Sequence, residues 1–190
     1  MTNNTHIPHL LSREIFIVEY LKSIVLDYHK NKLALSCTHC IIKGEERVNM
    51  NILEGRIKQT HKAENKGKYI LYWMQGAFRC NYNHSLEFSI YLSNLYNLPL
   101  TVLVILNLDY PEANYRSFKF FLEGLNDISN TLKNRKISLH LRKGRFESVL
   151  SEYKTNIHTL VTDKSYLPNL KNIKIDIFKK LNLNSYEVMK

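Results

Sequence analysis

Glycine, proline and cysteine are scarce in this chain: 6, 4 and 3 among 190 residues. So little glycine leaves no phosphate-cradling loop of the usual kinds. The turn after the first apolar run, Gln75-Gly-Ala-Phe-Arg79, holds one glycine, where a dinucleotide-binding turn needs several so that backbone can approach a pyrophosphate. Gly144-Arg145 lacks both the upstream glycine and the Lys-Ser/Thr of a nucleotide-triphosphate loop, and no G-x-S-x-G elbow occurs. Three cysteines without a secretory leader argue for a reducing, cytoplasmic setting. No apolar run reaches the roughly 18 residues of a membrane span. Acidic residues are also few, 17 against 27 Lys and Arg, for a net charge of +10. That balance suits polyanions. The lysines are scattered rather than clustered, however, and the abundance of Lys, Asn and Ile is equally what a low-GC genome produces.

What is present is a run of alternating elements. Tyr69–Met74 is an apolar, aromatic strand after Gly67, followed by a helix from about Asn81 to Tyr96 that ends at Leu98-Pro99. Leu100–Leu106 is a continuous β-branched and leucine run, as expected of a central parallel strand covered on both faces. A loop at Asp109–Asn114 leads to a long helix, about Tyr115 to Asn134. Its Phe118, Phe121, Leu122, Leu125, Ile128 and Leu132 form one apolar face. Strand Ile137–Leu141, helix Phe146–Tyr153, strand Thr159–Thr162, helix Leu170–Leu181 and strand Ser185–Val188 complete the pattern. The order predicts an α/β, Rossmann-like five-stranded parallel sheet with helices on both faces and right-handed crossovers.

Residues 1–49 differ. One helix capped by Ser12 is expected through Ile15, Val18, Leu21, Ile24, Val25 and Tyr28, then an irregular segment, so this part reads as an appendage to a domain at 50–190. Lys43-Gly-Glu-Glu-Arg-Val-Asn, just before Met50, is what a ribosome-binding stretch would encode if translated through. That marks residues 1–49 as an upstream extension. Cys37-x-x-Cys40 has no second knuckle to close a zinc site and no strand-to-helix context for a redox pair, so no metal site is expected.

Polar residues expected at the carboxyl ends of the strands are Arg79, Asn83, Asn114, Arg116, Asp163 and Lys164. They suit hydrogen bonding to a flat heterocycle or to a neighbouring domain rather than acid–base catalysis. Equally, Asn83 and Asn114 serve as helix caps and Asp163 ends a strand. His84 has no nucleophile placed for it and reads as structural. No catalytic residue is assigned.

Several separated blocks carry a family likeness. They are Tyr69-Ile-Leu-Tyr-Trp-Met-Gln75, Arg79, Asn83-His-Ser-Leu-Glu87, Tyr110-Pro-Glu-Ala-Asn114, Arg116, Phe120-Phe-Leu-Glu-Gly-Leu125 and Val161-Thr-Asp-Lys-Ser-Tyr-Leu167. In this order, over about Met50 to Lys190, they resemble the amino-terminal α/β domain of class II cyclobutane pyrimidine dimer photolyases. The Arg79-x-x-x-Asn83 pair is similar to one found after the first strand in photolyases and cryptochromes generally. Tyr82 stands where an acidic residue often precedes that asparagine.

The resemblance implies a light-driven repair flavoprotein acting on damaged DNA, in which excited reduced FAD passes an electron to a flipped-out thymine dimer. It further implies that FAD and DNA are bound by a helical domain lying outside this chain, and that the α/β domain can hold an antenna, a deazaflavin in some members. On this reading Arg79, Asn83, Asn114, Arg116 and Asp163 line an antenna rim or a docking surface, and the fragment alone is inactive. Two other readings stand beside it. One is a stand-alone α/β module that binds a cofactor or completes a photolyase encoded in two pieces. The other is a basic DNA-binding protein, resting on charge alone.

Overall fold

The computed structural model describes residues 52, 54–107 and 115–190, with side chains for all of these except 115–118. The expected helix after Ser12, the cysteine pair Cys37 and Cys40, and the loop bearing Asn114 lie outside the described residues.

Strand β1 is Ile57–His61, β2 Tyr69–Trp73, β3 Leu100–Leu106, β4 Ser138–Lys143, β5 Ile157–Asp163 and β6 Ser185–Val188; helices α1, α2, α3 and α4 are His84–Tyr96, Tyr115–Asn134, Phe146–Tyr153 and Pro168–Leu181. The strands form one sheet in the order β1-β6-β5-β2-β3-β4. All neighbours are parallel except β1 and β6. The five expected parallel strands are present, and the sheet gains a sixth. Strand β1, Ile-Lys-Gln-Thr-His, runs antiparallel along β6 with Ile57 opposite Val188. It is an edge strand with no buried residue, so it carries no run of apolar residues to announce it.

Two apolar layers sandwich the sheet. On one face Tyr72, Val102 and Val104 pack against Leu86 and Leu92 of α1 and Leu122, Leu125, Ile128 and Leu132 of α2. On the other, Leu71, Trp73, Leu103 and Ile105 meet Phe146 and Leu150 of α3 and Ile177, Phe178 and Leu181 of α4. Every residue of β3 is buried, because it feeds both layers by turns. Each such large side chain contributes about 1.5–3 kcal/mol by leaving water.

Local chemistry sets the ends of the elements. Helix α1 starts at His84, three residues later than its pattern suggests, because Asn83 takes an extended conformation and caps it by accepting from Leu86 N. Asn97 and Asn182 end α1 and α4 in the left-handed region that asparagine tolerates. Before β2, Gly67 lies so close to the β5 backbone that a Cβ would stand 2.0 Å from His158 N. The glycine that marks the start of this strand in the sequence is therefore a packing requirement.

Candidate binding site at the carboxyl edge of the sheet

Between β2 and β5 the chain changes direction. From β2 it proceeds to β3 and β4 on one side, and from β5 to β6 on the other. In open α/β sheets ligands settle in the crevice at such a point, outside the carboxyl ends of the strands. Here the crevice is bordered by the loop after Trp73 and by Asp163, the last residue of β5.

Asp163 is 1% exposed, and its carboxylate is the hub of the crevice. One oxygen accepts from the Tyr72 hydroxyl at 2.9 Å and from Ser85 Oγ at 2.6 Å. The other accepts from three successive backbone N–H groups, of Gln75 at 3.2 Å, Gly76 at 2.8 Å and Ala77 at 3.0 Å. Asn83, also 1% exposed, completes the arrangement. Its amide nitrogen lies 2.9 Å from Arg79 O, 3.1 Å from Ala77 O and 3.1 Å from the Tyr72 hydroxyl. Burial, and then the charge of Asp163, push the Tyr72 phenol well above its ordinary pKa, so it stays a neutral donor. The polar atoms at the strand ends thus hold the Gln75–Asn83 loop in one shape.

Beneath this loop on the α4 side lies Lys174, 1% exposed. Its ammonium donates to the main-chain oxygen of Asp163 and sits 5.4 Å from the centre of the Trp73 ring. Burial lowers its pKa to about 8, against the opposing pull of the Glu187 and Asp163 carboxylates, while Lys190 adds to the lowering. Lys190 Nζ itself donates to Gly76 O at 2.5 Å. Two further buried polar atoms nearby, Trp73 Nε1 and Gln75 Oε1, find no protein partner.

The residues singled out from the sequence separate into three groups. Asn83 and Asp163 come together, joined through Tyr72, and face inward. Arg79 is exposed on the loop they shape, and Lys164 approaches the Tyr166 ring at 5.7 Å. Arg116 lies in the first turn of α2, where the backbone alone is described, and Asn114 is outside the described residues. Tyr72, Ser85 and Lys174 were not anticipated. Lys174 could have been: with Ile177, Phe178 and Leu181 it completes the i, i+3, i+4, i+7 stripe of α4, a charged residue in the first place of an apolar face. Tyr72 and Ser85 lie within blocks that carry the family likeness, but no hydrophobic or capping pattern gives either a role.

Outside the crevice, the loop and α2 present aromatic surface. Phe78 is 40% exposed and packs edge-on against Phe121 at 4.6 Å, while Tyr82 is 85% and Phe120 80% exposed. Tyr82 has φ of +52°, a conformation that costs a bulky residue energy and turns its ring outward. At the opposite, amino edge of the sheet an open groove of about 370 Å³ is lined by residues including Asn65, Lys66, Tyr96, His158 and Asn184. Among the described residues no group of three or more His, Cys, Asp and Glu could hold a metal ion, and no helix is long and apolar enough to cross a membrane.

Comparison with known proteins places this geometry. The deoxyribodipyrimidine photo-lyase of Methanothermobacter thermautotrophicus is 39% identical over 102 residues, 54% of this chain and 23% of that protein. A bacterial class III photolyase from Agrobacterium tumefaciens superposes with a TM-score of 0.57 at 17% identity, over 67% of this chain and 27% of its own, a likeness of fold. The matched part is thus about a quarter of either relative, 23% and 27%. The model of the DNA photolyase family covers residues 70–189, from β2 through β6. By that match, and with the family's amino-terminal α/β architecture, this chain belongs to the DNA photolyase family.

Proposed function

We propose that this chain is the α/β part of a class II deoxyribodipyrimidine photo-lyase, and that its own residues position and dock but carry out no repair chemistry. The observation behind this is the fate of the strand-end polar groups. Asp163, Asn83, Tyr72 and Ser85 are buried and spend their hydrogen bonds on one another and on the loop. None remains to activate a base, a phosphate or a water. FAD does not fit the crevice either, since a pyrophosphate would need the N–H groups of residues 75–77, which Asp163 already holds. No step is assigned to a flavin on this chain.

The outer surface of the same loop supplies the working part. Phe78, Arg79 and Tyr82 give this loop an aromatic and cationic outer surface, and α2, on which Phe78 packs through Phe121, exposes Phe120. A planar antenna of the deazaflavin type, or the helical domain that binds FAD and damaged DNA, would be received there. Exposed aromatics on this scale favour a docking surface for a further domain or chain.

The experiment is direct. Dimer-containing DNA is illuminated with the purified chain and reduced FAD, then with the same chain plus an FAD-binding helical photolyase domain. Monomer restored by the chain alone would overturn the proposal. The expected result is none alone, and complex formation with the helical domain.

A further inference from the structure

We propose that the switch point of this sheet is an anion site occupied by the chain itself. The Asp163 carboxylate stands where the carboxylate or phosphate of a ligand would stand in an open crevice, and the protein therefore seats no phosphate-bearing ligand there. It shares with the proposed function the premise that Asp163 holds the N–H groups of residues 75–77, and goes beyond it in assigning those groups as an anion receptor.

The argument is one of donor chemistry. Three consecutive backbone N–H groups turned toward one point make a concave anion receptor, and two hydroxyl groups complete it. Five donors converge on one carboxylate, and none of them belongs to a cationic side chain. Lys174, the closest buried cation, bonds to the Asp163 main-chain oxygen instead. Buried neutral dipoles arranged around a negative charge are the means by which α/β proteins hold phosphates at this position. Here the anion arrives on a neighbouring strand. That accounts for a loop with only one glycine, Gly76: a resident carboxylate is smaller than a pyrophosphate, and the backbone need not open to admit it.

The test empties the site and offers it small anions. In Asp163→Gly the backbone amides of Gln75, Gly76 and Ala77, followed by nitrogen-15 NMR, are expected to move saturably when acetate or inorganic phosphate is added. The melting temperature lost in the variant should rise with the same anions more than with chloride at equal ionic strength. The wild type and Asp163→Asn, whose side chain still fills the place, should show neither response. Should Asp163→Gly fail to fold in chloride, Asp163→Ser takes its place. Folding of either variant in acetate but not in chloride supports the proposal. Amides that stay put in the emptied variant, no recovery of folding by any anion, or phosphate-dependent shifts at residues 75–77 in the wild type would each overturn it.

Discussion

Tyr72 and Asp163 meet inside the protein, phenol to carboxylate at 2.9 Å, although 91 residues separate them along the chain. The bond ties β2 to its parallel neighbour β5 at the mouth of the crevice. It fixes the loop after β2 against a residue that arrives only after three crossovers.

Removing that hydroxyl tests the tie. Tyr72→Phe keeps the ring in its apolar layer but leaves the Asp163 carboxylate and the Asn83 amide each short of a partner. A hydrogen bond to a charged group contributes about 1.5–3 kcal/mol, and the variant is expected to lose that much in urea unfolding. A loss below about 0.5 kcal/mol would show that the network is not organised around Tyr72.

Lys174 makes stability depend on pH in a defined direction. Its folded pKa, about 8, lies below the ordinary value of 10.5, so between these values the unfolded chain binds more protons than the folded one. Stability contributed by this group therefore rises as pH climbs from about 8 to 10.5 and is flat below that window. The wild type should gain on Lys174→Met by about 3 kcal/mol between pH 7 and pH 11, read as the difference of two unfolding free energies. Because Trp73 is the single tryptophan and lies under the ammonium, its emission should titrate with the same midpoint in the wild type and not in the variant.

The central strand carries the core. Leu103 is fully buried on the α3–α4 side, and Leu103→Ala is expected to cost about 2–5 kcal/mol by thermal or chemical unfolding.

Phe120 offers the opposite case. At 80% exposure, Phe120→Ser should change stability by no more than about 0.5 kcal/mol. If the rim docks a helical domain, the same change should weaken that complex at least tenfold in a titration, about 1.4 kcal/mol. Unchanged affinity would remove Phe120 from the docking surface.

The sequence by itself determined the order of elements and the two-sided core. Hydrophobic runs at β2 and β3 and the three-and-four spacing of α2 are local signals, and burial on a sheet or helix face rewards exactly those local patterns. Residues bearing the family likeness were legible for the same reason, as blocks along one line. Strand β1 was not, because a polar edge strand is created by its partner, β6, rather than by its own composition. The inward roles of Asn83 and Asp163 were half legible: a cap and a strand end were foreseen, their junction through Tyr72 was not. Only the tertiary structure decided that the crevice is filled from within. Convergence of Asp163 on the N–H groups of residues 75–77 depends on the crossovers that set β5 beside β2, and no local propensity encodes that adjacency.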